Sequence, residues 1–185
     1  MWPVVSDLPP YVAEVGSNDP RSFSYLYDGG ASAGVVLPAR LGELVIAPED
    51  GRVVFSWPWP SPIAPIASWL MFATTRGPVL ALGPIANESW TEFAVPTVAI
   101  PEGHPIGRVG IRLDGLQGLT LQLLTKGSTR PATWDRYTQP PSNLIDPTDY
   151  ARSLATRLPE QQTAPSSGSL LLAAAILGVI YYANR

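Results

Sequence analysis

Proline is the strongest constraint on what this chain can fold into. Of 185 residues, 21 are proline, and they recur at intervals that leave little room for long helices. Each internal proline removes a hydrogen-bond donor and clashes with the preceding helical turn. Between residues 31 and 127, prolines and glycines separate short stretches rich in Val, Ile, Leu and Phe. Bounded apolar runs of that length read as strands. We place strands at 34–37, 43–47, 51–56, 69–75, 79–82, 92–95, 97–100, 105–109 and 119–124. Proline at most strand ends suits edge or terminal positions, where no ladder donor is needed. The expected fold is mainly β, an open barrel or sandwich with irregular proline-rich arms.

Composition removes several chemistries. There is no Cys, so disulfides, thiolate zinc sites and thiol nucleophiles are excluded. A single histidine, His104, excludes any site that needs two. Hydrophobic residues make up 45% of the chain, enough for a real core. Acids outnumber bases in residues 1–50, and the balance reverses beyond. No run of Lys or Arg could track a phosphate backbone, and Lys126 is the only lysine, so nucleic acid is not an expected partner.

The pattern divides the chain into four parts. Residues 1–30 form an irregular arm whose aromatics need a surface to pack on, and no secretory signal pattern opens it. Residues 31–158 form the β domain. It ends in a short helix over 148–158, with Thr148 as N-cap and Asp149 near the positive end. Residues 159–169 read as a flexible linker. Residues 170–183 are apolar throughout, and with 166–169 the uncharged stretch is 18 residues. As a helix that is about 27 Å, a short but viable span. Its anchor residues are Leu170, Leu171, Leu172, Ile176, Leu177, Val179 and Ile180, with Tyr181 and Tyr182 at the interface. The arrangement is a single-pass C-terminal membrane anchor.

One loop stands apart. No charged residue occurs between Arg52 and Arg76, and four prolines fall between residues 58 and 65. An extended loop displaying Trp57 and Trp59, with Ile63 and Ile66, is a candidate contact with a partner or membrane surface.

Three phrases in the β region resemble one family. Val45-Ile46-Ala47-Pro48-Glu49-Asp50-Gly51-Arg52-Val53-Val54 resembles the V-x-A-P-x-D-G-x-V hairpin of lysostaphin-type (LytM-like) zinc metallopeptidases, whose substrate is peptidoglycan peptide. Residues 101–110, Pro-Glu-Gly-His-Pro-Ile-Gly-Arg-Val-Gly, resemble their later G-x-x-I-G-x-x-G turn. Residues 143–150, ending Asp146-Pro147-Thr148-Asp149-Tyr150, resemble the closing D-P-x-x-Y segment. The three occur in the family's order from about Ser32 to Tyr150.

The resemblance implies the fold and, by the residues at its ligand positions, no zinc. The family's H-x-x-x-D motif corresponds to residues 32–36, with Ser32 in place of His and Val36 in place of Asp. Its terminal H-x-H corresponds to Thr120 and Gln122. The middle Y-x-H-L motif of the family aligns near residues 80–84, Leu-Ala-Leu-Gly-Pro, again without His. Ser, Val and Thr are not ordinary zinc ligands. His104 sits in a Gly-His-Pro turn, and no G-x-S-x-G elbow is present. Paired carboxylates for another hydrolysis would have to come from Glu49, Asp50, Glu88, Glu92 or Asp114. Of these, Glu49 and Asp50 read more simply as turn residues. Lys126 is not at the hairpin tip where lipoyl and biotinyl carriers attach their group, so no cofactor is expected.

The expected function is a non-catalytic, membrane-anchored protein with a pseudo-peptidase domain. Its setting would be structural, within a membrane-containing bacteriophage particle and in contact with coat proteins. A bacterial envelope adaptor for a cell-wall hydrolase is the alternative, with residual peptidoglycan binding conceivable in either. A hydrolase with an unrecognised site is the third reading.

Overall fold

The structure is a computed structural model. It describes residues 1–157 except 28–29, 61–66, 88, 90–95, 113, 115 and 136. The linker 159–169, the apolar segment 170–183, Ile63, Ile66 and the expected strand 92–95 lie outside the described residues. Among the described residues no helix is long and apolar enough to cross a membrane.

Eleven strands and one helix follow in order among the described residues: β1 (Val4–Val5), β2 (Leu26–Tyr27), β3 (Gly30–Ala31), β4 (Val35–Leu37), β5 (Leu44–Ile46), β6 (Gly51–Pro58), β7 (Ala67–Thr74), β8 (Val79–Ala86), β9 (Pro105–Arg108), β10 (Leu119–Leu124), β11 (Leu144–Ile145) and α1 (Thr148–Ala155). The main sheet runs β11-β10-β8-β7-β6, with β4 also paired to β10. A three-stranded sheet, β1-β5-β9, and the β2–β3 pair accompany it, and the described strands form no closed barrel.

The alternation in β10 explains why the main sheet has two working faces. Leu119, Leu121 and Leu123 point into the principal core with Leu80, Leu82, Leu70 and Phe72. Period-two side-chain alternation then sends Thr120, Gln122 and Leu124 to the opposite face. That second face carries its own cluster, with Trp69, Met71, Val79, Ala81 and Leu124 packed beneath Ala33 and Ala132. Burying one such aliphatic side chain contributes about 1.5–3 kcal/mol.

Most expected strands appear within a few residues of their positions, with two informative differences. The expected 79–82 strand continues through Gly83 and Pro84 to Ala86. The β7–β8 register shifts between Ser68 and Leu70, and this irregularity lets a donor-less proline sit inside the sheet. Residues 97–100 do not form a named strand. They run beside the start of β6 through a Gly51–Ile100 bridge and a Thr97 amide donating to the Val53 carbonyl at 2.9 Å.

The arm at 1–30 is packed onto the domain. Trp2, Val4 and Phe23 are buried, and β1 pairs with β5. Phe23 lies 5.7 Å from the Trp134 ring. Thr148 is not the N-cap. Pro147 holds that position without a side-chain cap, and the Thr148 amide donates to Asp146 Oδ1 at 2.8 Å. The Thr148 side chain faces inward with Ala151 and Leu154, and its buried hydroxyl has no partner among the described residues.

Candidate functional site

The second face of the main sheet brings together Val36, Thr120 and Gln122, three of the four positions set against the family's ligands above. Val36 pairs directly with Thr120 across the β4–β10 ladder. Two residues along, Gln122 is on the same face as Thr120. Gly34 lies against both: a Cβ there would stand 2.9 Å from Thr120 Cγ2 and 3.1 Å from Gln122 Cγ. Ser32 begins this turn, with its hydroxyl donating to the Gly34 carbonyl at 2.7 Å. Val36, Thr120 and Gln122 are buried.

Each side chain is already engaged. The Gln122 amide closes a reciprocal pair, donating to the Ala132 carbonyl at 3.0 Å and accepting from the Ala132 amide at 2.8 Å. The guanidinium of Arg112 donates to Thr120 Oγ1. Arg112 is itself nearly covered, its side chain 7% exposed. Its Nε donates to Asp114 Oδ1 at 3.0 Å, and its charged end pairs with Oδ2 of the same carboxylate. Burial opposes ionisation of Asp114, but the hydrogen bonds and charge of Arg112 outweigh it and hold the carboxyl below its ordinary value.

Aromatic rings complete the floor. The Arg112 guanidinium lies 5.4 Å from the Trp59 ring, within cation–π range. The Trp59 ring in turn lies 4.4 Å from that of Trp69. Both rings rest on Gly83, where a Cβ would come within 2.8 Å of Trp59 and 2.9 Å of Trp69. Gly83 is the β8 partner of Thr120. Only a glycine lets two indoles approach the backbone so closely.

The segment 129–134 crosses this face as a strap. Trp57 Nε1 donates to the Thr129 carbonyl at 2.6 Å, Gln122 grips Ala132, and the Ala31 amide donates to the Trp134 carbonyl at 2.9 Å. Of the loop residues proposed as a contact surface, Trp57 is 43% exposed while Trp59 is half-buried under Arg112.

The other candidates lie elsewhere. Glu49 is buried and accepts from Tyr150 Oη at 2.6 Å, with Arg76 Nε 3.4 Å from its second oxygen. Glu49 lies in the turn before β6, and these contacts give it a partner beyond that turn. Asp50 does cap a turn, accepting from the Glu102 amide at 2.8 Å. His104 is exposed in its turn, its carbonyl accepting from Ala47. Among the described residues no three His, Cys, Asp or Glu side chains gather in a way that could hold a metal. Arg112, Trp69 and the strap were not legible beforehand. Arg112 sits in no motif, and only the Arg112-x-Asp114 spacing hints at a local pair.

No protein-family model and no curated protein sequence matches the chain. Among solved structures it is similar to lysostaphin, as seen in an NMR solution structure, at 15% identity and a TM-score of 0.52. The match covers 84% of this chain and 58% of the lysostaphin chain. The chain therefore spans little more than half of that neighbour. At this identity the likeness speaks for architecture alone, and the fold of this chain is a lysostaphin-like β fold.

Proposed function

We propose that this chain is a non-catalytic pseudo-peptidase domain that works by binding. It is held to a membrane through residues 170–183, as a structural component of a membrane-containing bacteriophage particle. One observation carries the non-catalytic part: the Arg112 guanidinium donates to Thr120 Oγ1. The donor set does not fit a zinc ion. Val36 has no ligating atom, both ends of the Gln122 amide are committed to Ala132, and the Thr120 oxygen already serves a permanent cation.

The membrane and particle setting rests on the apolar segment 170–183 and on the proline-rich arm, which suits packing within an assembly. Metal analysis and peptidoglycan digestion on the purified chain test the first part. The expected result is no stoichiometric zinc and no released peptide; one zinc per chain together with cleavage overturns it. Mass spectrometry of purified particles and of host membranes tests the setting. Recovery in particles at structural copy number is expected. Recovery only in cell envelopes beside a wall hydrolase replaces it with the adaptor reading.

A further inference from the structure

The strap leaves one part of the second face uncovered. There the structure forms a cavity of about 510 Å³, within the range of ordinary ligand pockets. It lies at the row Arg52–Ala73–Val79–Leu124, set by the pairings of β6, β7, β8 and β10. None of Arg112, Thr120, Gln122, Trp59 or Trp69 lines the cavity, so it is distinct from the Arg112 cluster.

Its walls have two characters. Val54, Phe55, Ala73, Val79 and Ala99 make a short apolar surface. Arg52 and Lys126 add two positive charges, and among the described residues no Asp or Glu lines the cavity. Neither cation makes an ion pair or hydrogen bond among the described residues. Lys126 reaches over the turn after β7, its Cδ 4.0 Å from where a Gly77 Cβ would be. Thr97, Ser128 and Thr129 line the same space, with the Ser128 hydroxyl 3.5 Å from that of Thr125.

We propose that this cavity binds the C-terminus of a polypeptide partner that ends in an apolar residue. The terminal side chain packs on Val54, Phe55 and Ala73, and the carboxylate is taken by Lys126 and Arg52. Charge complementarity calls for an anion, because two unpaired cations face a cavity without acids. The apolar wall of Val54, Phe55 and Ala73 offers a surface for the terminal side chain. The hydroxyls supply partners for the last peptide amide, which an acyl chain does not need.

Fluorescence polarisation on the full chain tests this with a labelled pentapeptide ending in Leu-Phe. The free acid binds, and its C-terminal amide binds at least tenfold more weakly. Lys126→Ala and Arg52→Ala each weaken binding roughly tenfold, the loss of one charge-assisted contact. Ala99→Trp blocks binding with an unchanged melting temperature, which separates loss of the cavity from loss of the fold. Equal binding of acid and amide overturns the proposal, as does no binding of the acid. Decanoate displacing the peptide at an equal or lower concentration overturns the peptide source in favour of a lipid-like anion.

Discussion

Tyr150 donates its phenolic hydrogen to Glu49 Oε1 at 2.6 Å, joining α1 to the turn before β6 across 101 positions of sequence. Glu49 is 4% exposed, and Arg76 Nε approaches its other oxygen at 3.4 Å. A carboxylate taken out of water needs such partners, and removing one leaves an uncompensated charge. Two of the phrases that resemble lysostaphin-type peptidases, the Ala-Pro-x-Asp-Gly hairpin and the Asp-Pro-x-x-Tyr segment, are thus physically tied.

Tyr150→Phe removes the donor and keeps the ring. The expected cost is about 1.5–3 kcal/mol, a hydrogen bond to a charged acceptor. That corresponds to a melting temperature lower by roughly 5 °C. The pH dependence follows. Burial, then the hydrogen bond and charge of Glu49, push the Tyr150 pKa well above its ordinary 10.0. The folded state therefore holds the neutral phenol. The contribution is fully present below about pH 10 and declines as pH rises beyond it, where the unfolded phenol ionises. Denaturant unfolding of both proteins from pH 7 to 11 should show their difference shrinking above pH 10. A constant difference would remove the linkage.

Gly34→Ala should be more damaging than a surface substitution. Its Cβ would stand 2.6 Å from the Leu121 carbonyl oxygen, a backbone atom inside a paired strand. Overpacking of this kind costs about 3 kcal/mol. Urea unfolding reads it, and a loss below about 0.5 kcal/mol, the scale of an ordinary surface change, would contradict the close approach of β4 and β10.

Reinstating the family's ligands tests the correspondence directly. Ser32→His, Val36→Asp, Thr120→His and Gln122→His together still leave the Arg112 cation in place. We expect that set to bind zinc at least tenfold more weakly than the same set with Arg112→Ala, read by calorimetry. Equal affinity in both would show that Arg112 does not occupy the metal's place. No affinity in either would count against the correspondence.

Truncation before residue 169 should release the chain from membranes. Flotation with lipid vesicles measures it. A truncated chain that still floats would place membrane contact elsewhere, with Trp57 the first residue to examine, since its ring is 43% exposed.

Legibility was uneven for physical reasons. Strand β10 reads cleanly because Leu119, Leu121 and Leu123 alternate with Thr120 and Gln122. A period-two pattern of aliphatic and polar residues is a local property, although β10 is buried on both faces. Strand β8 reads short because Pro84 is a local stop signal, and the extra residue that β8 carries between Leu82 and Ile85, opposite β7, accommodates it. Thr148 read as a cap because Ser and Thr usually serve there. The helix instead turns that side chain inward and uses Asp146. Glu49 does lie in a turn, but its partners Tyr150 and Arg76 escape a local reading because they are remote in sequence.

By itself, the sequence determined the β class, the principal strands and the alternation that sets Thr120 and Gln122 on one face of β10. Those are matters of period, punctuation and residue type, each contained in a short window. Only the tertiary structure decided what those positions now do. Arg112 on Thr120, the grip of Gln122 on Ala132, and the Trp59–Trp69 pair over Gly83 join segments that come together through folding alone. Burial then makes each contact matter, since a guanidinium or an amide withdrawn from water must find its partner within the protein.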